Sequence, residues 1–214
     1  MEALRQALVA VHIAAGFAAI AASITAASSK AFRLPHRVHR IAGRTFAIAM
    51  LGIVVTAVPM ALLGGNLLLL LVAILSGYLA FAGWREAVRS RTTAAWPDRA
   101  AALLMMLAGS AMIALGVFVV TRGNAGGIVL LAFGAIGGSL AWTDLRRIGR
   151  PCDRPTRIAN HLIRMMGATI AVITAFLVVN VRFDPGWVVW LAPTVVLTPL
   201  IIVWSRRARQ GRLG

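Results

Sequence analysis

Seven long apolar stretches follow one another along this 214-residue chain, at roughly 6–28, 40–63, 67–84, 100–120, 128–143, 162–181 and 186–204. A helix that crosses the hydrocarbon core of a bilayer needs about 20 such residues. The fifth stretch is the shortest, and it extends through Gly126 and Gly127. The pattern predicts an all-α integral membrane bundle of seven transmembrane helices, forming a single polytopic domain over residues 1–214. Composition agrees: 60% of residues are hydrophobic and 13% charged, against about 45–50% apolar and 25% charged in soluble domains. A soluble enzyme domain is excluded, and so is a disordered chain, which requires low hydrophobicity.

The charge distribution predicts orientation. Of 22 basic residues, five lie between spans one and two, four between three and four, six around the five–six junction and four after span seven. These junctions alternate, so nineteen basic residues share one side, leaving Arg5, Arg122 and Arg182 on the other. By the positive-inside rule the N-terminus is outside and the C-terminus cytoplasmic, which requires an odd number of spans. Trp84, Trp96, Trp142 and Trp204 fall at the cytoplasmic ends, and Trp187 and Trp190 at the outer face, the levels that amphipathic indoles prefer. The first stretch reads as an uncleaved span: Glu2 offsets Arg5, the apolar run exceeds a signal-peptide core, and the positive cluster follows it. A bacterial cytoplasmic membrane is the expected location.

The outer connections, Gly64-Gly65-Asn66, Arg122 to Gly127 and Arg182 to Gly186, are rich in turn formers. Spans two and three, four and five, and six and seven are therefore expected to pack as antiparallel neighbours. The cytoplasmic connections are too short to hold a folded domain, so function belongs to the bundle or its rim. There is no Walker loop, G-x-S-x-G, H-E-x-x-H or C-x-x-C, and Cys152 is the single cysteine. No catalytic residue is assigned. The net charge of +16 is spread over four loops, which argues for topology and attraction to anionic lipids and against nucleic acid.

Ionisable groups inside a membrane are costly and mark candidate sites. No carboxylate is expected near the midplane, which weighs against an ion-coupled transporter. Glu86 and Asp98 are assigned to cytoplasmic loops, and Asp144 to a local ion pair with Arg146 and Arg147. The histidines carry more information. His12 lies on span one, roughly 9 Å below its outer end at 1.5 Å per residue. His36, His39, Arg40 and Gly43 share one helical face at the start of span two, with Arg44 beside them, and Arg157, His161 and Arg164 share another at the foot of span six. These eight basic side chains are the candidate ligand-binding residues. The repeated His12-x-x-x-Gly16 and His39-x-x-x-Gly43 pattern predicts close packing of a neighbouring helix against each glycine, the other reading being room for a flat cofactor. Three functions remain: binding of a small ligand or lipid at the cytoplasmic His/Arg cluster; a b-type haem electron carrier with His39 (or His36) and His161 as axial ligands; and a small-solute transporter, in which Pro193 and Pro199 unwind part of span seven.

The series His12-x-x-x-Gly16, His36-Arg37-x-His39-Arg40-x-x-Gly43-Arg44, Ser76-Gly77-Tyr78, Gly83-Trp84-Arg85, Asp144-Leu145-Arg146-Arg147, Asn160-His161-x-x-Arg164-Met165 and Thr198-Pro199 resembles a family of bacterial predicted membrane proteins classed as a domain of unknown function. The resemblance covers nearly the whole chain. It implies a multi-span inner-membrane protein and supplies no reaction.

Overall fold

A computed structural model describes residues 2–88 and 96–212. Arg89 and Arg91, counted in the cytoplasmic cluster, lie outside them. The described chain forms α1 (Glu2–Ala31), α2 (His36–Leu63), α3 (Leu67–Val88), α4 (Trp96–Thr121), α5 (Gly127–Arg147), α6 (Arg154–Asn180) and α7 (Trp187–Arg209). All seven are long and apolar enough to cross a membrane.

Several helices outrun their apolar stretches because polar residues continue them. α6 begins at Arg154, where Asp153 caps the helix by accepting from the Thr156 amide at 3.4 Å and Pro155 occupies the first turn, a position that needs no backbone donor. The Arg157, His161 and Arg164 face is thus helical from its start. Glu86 and Asp98 also lie on helices, α3 and α4, not in loops; Asp98 forms a two-pronged ion pair with Arg85 at 2.8 and 2.9 Å. α7 runs as one helix through Pro193 and Pro199, so the unwound segment that the transporter reading would use is not found there.

Pairs of contacts fix the helix directions. His12 meets Thr56 while His39 meets Ala26, making α1 and α2 antiparallel. Gly109 faces Gly134 while Gly116 faces Gly127, which does the same for α4 and α5. α6 packs on α7 and α2 on α3, as the short connections predict. In those connections Gly65 and Gly123 take positive φ values of 62° and 78°, a conformation that costs glycine little.

α3 is the centre of the bundle. It packs against α2, α4, α5 and α6, and its Leu71, Leu75, Tyr78, Leu79 and Ala82 are buried. On the outside, Ile48, Leu107, Val179, Val195 and Val196 are largely exposed. An apolar exterior of this kind suits lipid, which gives apolar side chains no reason to turn inward.

The small-residue packing falls elsewhere than the histidine pattern predicts. A Cβ on Gly16 or Gly43 would meet nothing within 4 Å, so neither glycine receives a helix. The close approach is between α4 and α5: a Cβ on Gly134 would lie 2.8 Å from the Gly109 carbonyl, and one on Gly127 2.6 Å from the Gly116 carbonyl. Backbone atoms fill the space that side chains would need.

Candidate functional site

Four helix ends meet at the foot of the bundle. α2 starts at His36, α6 starts at Arg154, and the last turns of α1 and α3 pack beside them. The rings of His39 and His161, more than a hundred residues apart in sequence, have centroids 6.4 Å apart with planes inclined at 75°.

Each ring is held by a backbone carbonyl from a third helix. His161 Nδ1 lies 2.8 Å from the Gly83 carbonyl on α3. His39 Nδ1 lies 3.0 Å from the Ala26 carbonyl on α1, with Ser29 Oγ at 3.4 Å. A carbonyl only accepts, so Nδ1 carries a hydrogen in both rings, and in the neutral rings Nε2 keeps the lone pair. Ser29 donates to the same Ala26 carbonyl at 2.7 Å, which leaves its oxygen able to accept from His39. The two imidazoles are therefore fixed in one tautomer and one orientation.

The other candidates divide. His36 is exposed, with its ring centroid 6.4 Å from that of His39. Arg40 and Arg44 are exposed on α2, one and five residues beyond His39, and Arg157 is half-buried on α6, four residues before His161. His12 stands apart. Its Nδ1 lies 2.9 Å from Thr56 Oγ1, whose own hydrogen is directed to the Gly52 carbonyl at 2.7 Å. It joins α1 to α2 and does not belong to the rim cluster.

Arg164 is also placed differently from the exposed rim arginines. It is 1% exposed and its guanidinium binds the Asp144 carboxylate through Nη2 and, at 3.3 Å, through Nε. Tyr78 donates to the same carboxylate at 2.6 Å. Asp144 therefore pairs across helices with α6 and α3, not locally with Arg146 or Arg147; Arg146 instead lies over the Trp142 ring, 4.4 Å from its centroid. Beside this cluster Asn160 is 2% exposed, with no partner for its side-chain nitrogen among the described residues.

Sequence reasoning missed Ala26 and Ser29, whose carbonyl and hydroxyl groups carry no residue-type signal for a site, and named Gly83 only within the Gly83-Trp84-Arg85 segment of the resemblance, without a role. Tyr78 enters the sequence reading only within Ser76-Gly77-Tyr78, and its pairing with Asp144 follows from the central place of α3.

No protein-family profile, no curated protein and no solved structure matches the chain.

Proposed function

We propose that this chain is a multi-pass protein of a bacterial cytoplasmic membrane, N-terminus outside, of the kind its resemblance implies, and that it binds a small ligand or an anionic lipid headgroup at the cytoplasmic His39/His161 rim. The observation that carries the reading is the meeting of these two imidazoles, each fixed through Nδ1, on two helices that also carry Arg40, Arg44 and Arg157 near the same ends. A fixed Nε2 lone pair can accept a hydrogen bond or bind a metal, and the arginines attract carboxylate or phosphate. Non-enzymatic binding is preferred because Ser29, whose hydroxyl lies beside His39, directs its hydrogen to the Ala26 carbonyl at 2.7 Å and faces the ring nitrogen that donates, an arrangement that does not activate it as a nucleophile. The transporter reading loses support with the continuous α7.

Native mass spectrometry of protein released from membranes in mild detergent tests this. A retained non-protein mass is expected, weakened by His161→Ala and by Arg40→Ala with Arg44→Ala. Protein that carries no such mass and shows no preference for anionic lipid overturns the proposal.

A further inference from the structure

We infer that His39 and His161 hold the iron of one non-covalently bound, b-type haem, with one imidazole on each axial position. The inference rests on the ligand-binding reading of the same rim and gives the ligand a chemical class.

The anchoring comes first. Metal-binding histidines characteristically donate their second ring nitrogen to a carbonyl or carboxylate, which fixes the tautomer and aims the ligating lone pair. His39 and His161 both do so, through Ala26 and Gly83. Separation agrees. Two imidazoles sharing one metal at about 2.0–2.1 Å from each Nε2 have ring centroids roughly 6.4 Å apart, and the observed value is 6.4 Å. His36 lies equally far from His39, so distance alone does not choose the pair. The carbonyl anchors do, together with the placing of the two rings on different helices.

The number of donors then selects the type of centre. Among the described residues no group of three or more His, Cys, Asp and Glu side chains is placed to hold a metal ion. A protein-bound zinc or copper ion generally takes three or four protein ligands. Two histidines complete the coordination of a metal whose other four positions are already filled, which describes haem iron. The sequence offers no C-x-x-C-H for thioether attachment, so the macrocycle is held without covalent bonds.

The surroundings suit such a group. Gly43, one turn beyond His39 on the same face, leaves open space where a Cβ would stand, and Arg40, next to His39 and exposed on α2, would offer positive charge to a propionate. With both axial positions taken, the iron accepts and returns one electron without exchanging a ligand.

The test uses the full chain, expressed with added 5-aminolaevulinate and purified in mild detergent. Expected are a Soret band that shifts when dithionite supplies the electron, a low-spin ferric signal by electron paramagnetic resonance, and one haem per chain by the pyridine haemochrome assay. His36→Ala retains all three. His39→Ala and His161→Ala lower haem content by at least about tenfold. His39→Gly purified in imidazole regains the low-spin signal, which separates ligand loss from misfolding. Wild-type protein without a Soret band, even after haemin is added, overturns the inference, as does a low-spin spectrum that survives both His→Ala substitutions. Native mass spectrometry of the same sample separates the two readings: a retained non-haem mass with no haem removes haem and leaves rim binding standing, whereas no retained mass together with no preference for anionic lipid removes both.

Discussion

Gly83 both anchors His161 and permits the close packing of α3 on α6. Its carbonyl accepts from His161 Nδ1 at 2.8 Å, and a Cβ on it would lie 2.7 Å from Met165 Sδ and 3.2 Å from the Met165 amide nitrogen. Gly83→Ala is expected to destabilise the protein by about 1–3 kcal/mol, the usual cost of overpacking, and to loosen the His161 anchor by moving the two helices apart. Thermal unfolding in detergent measures the cost. Met165→Ala should restore part of it, because the thioether is the nearest obstacle while the backbone nitrogen stays in place. Full stability in Gly83→Ala alone would contradict the packing.

The cap of α6 adds a pH dependence. Hydrogen bonding from Thr156 holds the Asp153 carboxyl below its usual range. A carboxyl with a lowered folded pKa contributes stability that is present above its unfolded value of about 3.9 and is lost as the pH falls through the folded value. Asp153→Ala is therefore expected to lower the unfolding temperature at pH 7, with the difference from wild type shrinking as the pH drops below about 4. Because the side chain is fully exposed, the effect is small. A difference that grows in acid would reverse the sign and refute the cap.

Spans and their pairing were legible because apolar length and turn residues act locally: Gly64 to Asn66 closes α2 on α3 whatever the rest of the chain does. The His39 and His161 faces were legible for the same reason, since helical spacing alone aligns Arg157 with His161. What the sequence concealed was long-range. Asp144 has Arg146 and Arg147 beside it in the chain, yet Arg164 and Tyr78 reach it from two other helices. Likewise Gly43 carries the small-residue pattern without a packing partner, while Gly109 and Gly134 interlock. Glycine records that room is available, and only the fold decides what enters it.

Orientation gives a direct test of the charge argument. In a Cys152→Ser background, Asn124→Cys and Arg150→Cys place single thiols at exposed positions at opposite ends of α5. A membrane-impermeant maleimide is expected to label the thiol at position 124 in intact cells and the thiol at position 150 only after the membrane is opened. The reverse pattern would put the arginine-rich loops outside.

The α4 and α5 interface predicts which glycines tolerate a methyl group. Gly134→Ala and Gly127→Ala press a Cβ against backbone carbonyls at 2.8 and 2.6 Å, atoms that have no rotamer to change, so each is expected to cost about 1–3 kcal/mol. Gly138→Ala and Gly16→Ala, where nothing lies within 4 Å, should stay near wild-type stability. Equal behaviour of the two sets in detergent unfolding would show that the α4–α5 contact is not the one described.

The Asp144 and Arg164 pair is where removal of one charge should matter most. Arg164 is almost fully enclosed while the Asp144 side chain keeps 21% exposure, so the penalty is asymmetric. Asp144→Leu strips the Arg164 cation of its hydrogen-bonded carboxylate and leaves Glu86 as a remaining negative charge near it, so the cost approaches but does not exceed the about 3–5 kcal/mol of breaking a buried pair. Arg164→Met leaves a carboxylate that still accepts from Tyr78 and reaches solvent, so its electrostatic cost is smaller. The double substitution removes both charges and should recover much of what Asp144→Leu loses, since an apolar pair of similar volume often serves as well as the ion pair. Tyr78→Phe deletes one hydrogen bond to a charged group, worth about 1.5–3 kcal/mol. A double-mutant cycle in detergent unfolding measures the coupling, and additive single costs would show that the two side chains do not compensate one another.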